Sequence, residues 1–385
     1  MTETEIHRVD RLESGFYIEI NQAESISQIE VSGIIMATGF DLLDPARRPE
    51  MAYSSLKHVV TAYEMEKMLM KASGDRWEEE LGFLPRVAII KCFGSRENRV
   101  ASPDNDLPEP GFSKDRIGVS YCSRICCTHA IKNALKLKEK NPEMDIYILF
   151  RDMRTYGFSE DYYREASEKD VKFIRFEPAD APQVEPVVEE GRPVLRVTVP
   201  DPILGQYMAL DADYLVLSAA TLPSEATKEV AAQFKVVLSL DGFFKEAHVK
   251  LRPVEFATDG VFLCGLAQYP KHITETINQA YGCAGRVLTL LSRDTVTASG
   301  SVCEVNEKRC MGCGACATVC TYGAIEMRET KQGRKATMNP VLCKGDGLCN
   351  AMCPTGAIYL KHYTEDELMA QIDAIVPEQV AVEVE

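Results

Sequence analysis

Residues 1–35 alternate apolar and polar positions as short strands do, in GFYIEI and then SQIEVSGIIMATGF. The run VSGIIMATGF predicts a buried strand ending in Ala37-Thr38-Gly39. Pro45 and Pro49 mark a linker, and TAYEMEKMLMKA has helical periodicity. RVAIIKCFGS predicts an apolar strand that breaks at glycine, and residues 97–118, rich in Pro, Asp and Gly, predict a loop. A helix from Ser123 to about Lys140 follows, then the strand MDIYILF, a helix near SEDYYREASEKD and the strand VKFIRF. This β-α-β-α-β order predicts a parallel sheet with crossover helices. Residues 183–216 predict a meander that returns to the sheet through the strand DYLVLSAA. DGVFLCGLAQYPKHITETINQAYGCAGRVLTLLS predicts a strand, a glycine turn and a long helix. VTASGSV reads as a small polar linker, and the tail from Thr364 as an amphipathic helix with an acidic end.

At 385 residues the chain has room for two or three cores. A net charge of −15 argues against nucleic acid, which selects basic surfaces. No apolar run approaches the roughly 20 residues that span a bilayer, and the amino terminus has no signal-like apolar core. A cytoplasmic protein without a transmembrane segment is expected. Fourteen cysteines in such a compartment point to metal or redox chemistry rather than disulfides.

Eight of the fourteen fall within 303–353. CMGCGACATVCTYGAI from Cys310 and CKGDGLCNAMCPTGAI from Cys343 align at a period of 33. The first has the C-x2-C-x2-C-x3-C spacing of bacterial ferredoxins, whose fourth cysteine serves the other cluster. One cluster is therefore expected on Cys310, Cys313, Cys316 and Cys353, and a second on Cys343, Cys349 and Cys320. Asp346 stands where the second motif should have a cysteine. A carboxylate is a harder ligand than a thiolate, so this centre is either Asp346-ligated [4Fe-4S] or a [3Fe-4S] centre. Thr321 replaces the usual proline. Cys264, Cys283 and Cys303 lack ligand spacing, and core packing is expected of them.

YCSRICCTHAIK places Cys122, Cys126 and Cys127 at the mouth of a helix, with Cys122 and Cys126 on one helical face. The set can be buried apolar thiols, a dithiol activated by the helix dipole, or part of a metal site. Cys92, at the end of RVAIIKC, offers a fourth thiolate at the sheet edge where loops meet helix starts, and a third [4Fe-4S] cluster is the reading favoured.

KCFGSRENR, YCSRICCTHAIK, FRDMRTYGFSEDYYREA and GVFLCGLAQYPKHITETINQAYG together resemble the A-type subunits of heterodisulfide reductase (HdrA), the flavoprotein core of electron-bifurcating complexes, from about Val31 to Leu360. The resemblance implies a [4Fe-4S] cluster on Cys92, Cys122, Cys126 and Cys127 beside FAD. It implies an α/β, thioredoxin-reductase-like fold: a partial FAD domain split around a second α/β nucleotide-domain-like unit, with a carboxy-terminal α+β ferredoxin domain. The expected boundaries are 1–84 and 223–301 for the FAD segments, 85–222 for the cluster-bearing α/β unit, 302–363 for the ferredoxin domain and 364–385 for the tail. It places Thr38, Gly39, Gly265, Gln268, Ile273 and Thr274 near the flavin, with Lys132 and Lys271 as cations that would stabilise its reduced form. Two features depart from the pattern. Leu266 follows Gly265 where related flavoproteins carry Asp, and no G-x-G-x-x-G follows an early strand. A split subunit is therefore expected, with a partner chain supplying the dinucleotide fold.

The function expected is an iron–sulfur flavoprotein oxidoreductase subunit passing electrons to other heterodisulfide-reductase-like subunits and to ferredoxin or a hydrogenase- or formate-dehydrogenase-type module. The alternatives are a plain iron–sulfur wire, an NAD(P)H oxidoreductase, and a scaffold with inert clusters.

Overall fold

A computed structural model describes residues 4–12, 15–22, 25–71, 85–97, 118–189, 191–201, 205–295 and 300–375. Most of the predicted loop at 97–118, the VTAS part of the linker and the acidic end lie outside the described residues.

Strands β1 (Thr4–Arg11), β2 (Phe16–Gln22) and β3 (Ser25–Val31) form an antiparallel meander that buries Phe16, Ile18 and Ile20, the alternate positions of β2. The predicted single strand VSGIIMATGF is divided. Val31 ends β3, the chain turns at Ser32-Gly33, and β4 (Ile34–Met36) joins a different sheet. β5 (Phe40–Leu42), β6 (Val59–Thr61) and helix α1 (Ala62–Lys71) follow.

Next come β7 (Arg86–Phe93), α2 (Cys126–Lys140), β8 (Asp145–Phe150), α3 (Ser159–Glu168) and β9 (Val171–Arg175). A second meander, β10 (Gln183–Glu189), β11 (Arg192–Asp201) and β12 (Gln206–Ala212), leads into β13 (Tyr214–Ala219). The central sheet has the order β6-β13-β7-β8-β9 with every pairing parallel. Its strands are apolar along their length because both faces are covered. Ala130, Ile131, Ala134 and Leu137 of α2 pack on one face, and Leu195, Val197 and Val199 of β11 on the other.

β14 (Thr221–Pro223) pairs antiparallel with β5, and after α4 (Thr227–Phe234) β15 (Val261–Leu263) pairs parallel with β4. The segments before and after the central sheet are thereby joined. The long helix α5 (Ile273–Leu291) follows the β15 turn.

The remaining elements are β16 (Cys303–Val305), α6 (Ala315–Val319), the hairpin β17 (Ile325–Thr330) and β18 (Gly333–Met338), α7 (Leu348–Ala351), β19 (Ile358–Leu360) and α8 (Glu365–Ile375). Cysteines make up much of their small core. Among the described residues no helix is long and apolar enough to cross a membrane.

Candidate functional sites

Two buried serines bring Cys92 to the YCSRICC turn. Ser95 Oγ donates to Tyr121 O (2.9 Å) and accepts from Ser123 N (3.0 Å), and Ser123 Oγ accepts from Thr221 N (2.9 Å). Both serines are 1 % exposed, so these bonds are shielded from water. Cys92 itself has φ 59°, and Arg124 has φ 61°. The left-handed residue at 124 stops the helix from starting at Ser123, so α2 begins at Cys126. Cys122 therefore precedes the helix and does not share a helical face with Cys126.

Cys126 is buried within hydrogen-bonding reach of both Cys92 and Cys127. The bond from Cys126 lowers the Cys92 and Cys127 thiols, against burial and with help from Lys91. Cys126, bonded to Cys127 and Cys92 and buried, is pushed up. Cys127 Sγ accepts from Arg154 N (3.4 Å), and Cys122 Sγ from Arg124 N (3.3 Å). The four do not line one cavity. Cys92 opens on about 280 Å³ beside Arg48, Lys91, Arg96 and Arg151. Cys122 opens on about 320 Å³ beside Arg124, Arg154, Tyr156 and Tyr269. Both sides of the set are thus cationic, which suits a cofactor that concentrates negative charge. Among the described residues no three His, Cys, Asp or Glu side chains close on a single metal ion.

One turn along α2, His129 and Lys132 line a third cavity of about 620 Å³ with Thr128, Tyr162, His272 and Ile273, a volume in the range of small-molecule sites. Glu66 of α1 accepts from Lys132 Nζ and pairs with His129 Nε2 at 3.1 Å. Burial lowers the Lys132 ammonium, and Lys136 adds to it. Arg124 ties the thiol loop to the start of α5 through Glu275 Oε1 (2.8 Å), Pro270 O (3.3 Å) and, from the neighbouring loop, Tyr156 Oη (2.8 Å).

Because β4 and β15 run parallel, Thr38-Gly39 and Gly265–Gln268 emerge at the same sheet edge, and the second turn packs on α5, with Gly265 N donating to Gln279 Oε1 at 2.8 Å. Gly39 has φ 75° with open space beside it, and Ile273 and Thr274 are exposed on the first turn of α5. Lys271 does not line the 620 Å³ cavity. It is buried, donating to Gly265 O, Gln268 Oε1 and Gln279 Oε1, each at 2.8 Å, and burial lowers it to about 8.

In the carboxy-terminal unit two small cavities gather the cysteines. Cys310, Cys313, Cys316 and Cys353 line one. Cys320, Cys343, Cys349 and Asp346 line the other, together with Cys303. Cys303, for which the sequence suggests only packing, has its Sγ 3.2 Å from Cys349 Sγ. The signal that could have found it is the repeat itself, since residue 303 lies one period of 33 before residue 336. Cys283 is buried in α5 against Cys264, and burial pushes it up to about 12.

Residues 309–357 match the 4Fe-4S dicluster domain family. The chain is 37% identical over 359 residues to the A-type subunit of the H(2):CoB-CoM heterodisulfide,ferredoxin reductase of Methanothermobacter thermautotrophicus, covering 91% of this chain and 50% of that one. It is 36% identical over 368 residues to the A-type iron-sulfur subunit of the CoB--CoM heterodisulfide reductase of Methanocaldococcus jannaschii, covering 93% and 52%. The chain spans about half the length of these curated relatives. Thioredoxin reductase of T. acidophilum aligns over 76% of this chain and 74% of its own at 15% identity and a TM-score of 0.43, too loose a likeness to carry an inference. By sequence, the chain belongs to the HdrA family, the A-type subunits of heterodisulfide reductase.

Proposed function

We propose that this chain is the iron–sulfur, flavin-binding electron-transfer portion of a heterodisulfide-reductase-like complex. The placement of α2 carries the reading. Its first turn holds Cys126 and Cys127, and its next turn, with His129 and Lys132, lines the cavity that the start of α5 closes. One helix therefore touches both the thiol set and a cavity fit for a flavin ring.

In this reading Cys92, Cys122, Cys126 and Cys127 hold one [4Fe-4S] cluster, and Cys310, Cys313, Cys316 and Cys353 a second. Cys320, Cys343 and Cys349 hold a third centre, with Asp346 at its exposed rim. The donor sets fit in kind: thiolates select iron–sulfur clusters, four cysteines line each cavity of the carboxy-terminal unit, and Cys126 lies within reach of Cys92 and Cys127. The Thr38-Gly39 and Gly265–Gln268 turns, with Ile273 and Thr274, cradle part of an FAD. FAD supplies chemistry that divides an electron pair between one-electron carriers. Lys132 on the wall of the 620 Å³ cavity and Lys271 behind the Gly265–Gln268 turn supply positive charge. The dinucleotide-binding unit for the rest of the FAD would come from another segment or subunit. The exposed apolar stripe Ile273, Ile277, Tyr281 and Leu288 on α5 suits such a neighbour. Bifurcation toward a low-potential acceptor, with other subunits of the complex and a ferredoxin, hydrogenase- or formate-dehydrogenase-type module as partners, is the finer form of the proposal.

The test is anaerobic purification with associated subunits, followed by iron and flavin counting. About 11 to 12 irons per chain, depending on the nuclearity of the third centre, and one FAD are expected. Cys126→Ala should remove about four irons while leaving the carboxy-terminal EPR signals intact. A wild-type count near eight overturns the α/β-unit cluster, and absence of flavin reduces the chain to a wire.

A further inference from the structure

The two halves of the carboxy-terminal unit repeat in structure as well as in sequence. Gly312 and Gly345 have φ 75° and 66°, and a Cβ added to either would collide with the carbonyl of Arg334 or Ser301, residues themselves 33 apart. Gly314 and Gly347 precede α6 and α7 with φ 82° and 77°. The same spacing carries Cys310, Cys316 and Cys320 onto Cys343, Cys349 and Cys353.

The correspondence changes chemistry at two positions that face the sites. Cys313 becomes Asp346, and Ala336 corresponds to Cys303. Ala336 on β18 is 2 % exposed and lines the first site; Cys303 on β16 is 1 % exposed and lines the second. The site that keeps its motif cysteine has alanine on the facing strand, and the site that lost it has cysteine there. Each cavity ends with four thiols: Cys310, Cys313, Cys316 and Cys353 in one, Cys303, Cys320, Cys343 and Cys349 in the other.

The local contacts agree. Cys303 Sγ is 3.2 Å from Cys349 Sγ, and Cys303 N donates to Cys343 Sγ at 3.4 Å. Asp346 also reaches the cavity wall but is exposed, and its Oδ1 accepts from Leu348 N at 3.2 Å, capping the turn into α7. A soft thiolate outcompetes a carboxylate for cluster iron.

We propose that Cys303 is the fourth thiolate ligand of the second centre, making it a [4Fe-4S] cluster in which Asp346 is not a ligand. The proposal rests on the reading that this site holds an iron–sulfur centre. Ligation forms one iron–sulfur bond at the corner iron and releases the Cys303 proton to solvent, with no change in oxidation state.

The full chain with its associated subunits, reconstituted anaerobically with iron and sulfide, tests this by EPR and iron counting. Wild type and Asp346→Ala should both show two reduced [4Fe-4S] centres in this unit. Cys303→Ala should lose about one iron per chain and show the oxidised three-iron signal, while the first centre's signal persists and reports an intact fold. If that signal is lost too, Cys303→Ser decides: a four-iron centre with an altered spectrum supports the ligand, and an unaltered spectrum overturns it. A three-iron centre in wild type, or one created by Asp346→Ala and not by Cys303→Ala, also overturns the proposal while leaving the site reading intact. Iron for only one centre in this unit in wild type would remove the site reading itself, and the proposal with it.

Discussion

The α/β unit and the carboxy-terminal unit gather thiols by opposite means. In the carboxy-terminal unit each cavity is built on a local motif, Cys310, Cys313 and Cys316 in one and Cys343 and Cys349 in the other, and glycines with positive φ fold the backbone around it. Backbone amides also donate to sulfur: Ala324 N to Cys320 and Ala357 N to Cys353, each at 3.3 Å. In the α/β unit Cys92 and Cys122 are 30 residues apart in sequence and meet only because a parallel sheet and the Ser95–Ser123 pair bring two loops together. That unit also buries cations. Lys91 is 1 % exposed, donating to Asp152 O at 3.3 Å. Among the described residues, no buried charged side chain lies beyond residue 300. A local motif shapes its site with the chain itself, whereas an assembled site can recruit side-chain charge from the surrounding core.

The largest effect that would break this contrast is in the glycine turns. Gly345→Ala places a Cβ against Ser301 O at φ 66°. Left-handed backbone alone costs an L-residue roughly 1–2 kcal/mol, and the collision with a fixed carbonyl adds to it. The expected outcome is loss of at least the second centre's EPR signal with the α/β-unit cluster unchanged. Retention of both carboxy-terminal signals at wild-type melting temperature would show that backbone shape is not what holds that unit.

A smaller effect tests the other half. Lys91→Met keeps a long apolar side chain in the core and removes the positive charge beside Cys92 and Cys127. A nearby cation favours the more negative, reduced cluster, so its removal should lower the potential of the α/β-unit cluster on the order of 1 kcal/mol, about 40 mV for one electron. The carboxy-terminal potentials should not move. An unshifted α/β-unit cluster in a redox titration would mean that the charge is screened from it.

This difference also governs what the sequence makes legible. Spacing alone groups Cys310, Cys313 and Cys316, because hydrogen-bonded turns fix distances over a few residues, and Cys353 joins them only through the crossed pattern of the repeated motif. The parallel sheet and its crossover helices follow from apolar runs alternating with helical periodicity. The start of α2 escapes a sequence reading because Arg124, which carries no turn signal, takes a left-handed conformation. VSGIIMATGF reads as one strand because its apolar character continues through a sheet change at Ser32-Gly33. Cys303 stands apart from the motif because its partners lie 40 and 46 residues away; its link to Ala336 shows only when the repeat is extended upstream. The Glu66 contact with Lys132 and His129, which joins α1 to α2, has no sequence signature.

Lys271, after the β15 turn, tests through stability whether a buried cation is tolerated by hydrogen bonding alone. Its ammonium faces three acceptors at 2.8 Å, yet burial lowers it to about 8 from the ordinary 10.5. Between those values the unfolded chain holds the proton that the folded chain has released. The unfolded state then binds more protons, so stability rises with pH across this window and is independent of this group below it. Wild type should therefore gain melting temperature from about pH 8 to about pH 10 relative to Lys271→Met, whose curve lacks that rise. The variant also takes a donor from Gly265 O, Gln268 Oε1 and Gln279 Oε1, of which the last two keep Gln279 Nε2 and Gly265 N, so it should melt lower than wild type throughout. The informative quantity is the difference in slope, not in height. Parallel curves would mean that the three acceptors outweigh burial and keep the cation charged, and the turn after β15 would then present fixed positive charge at every pH at which the protein is folded.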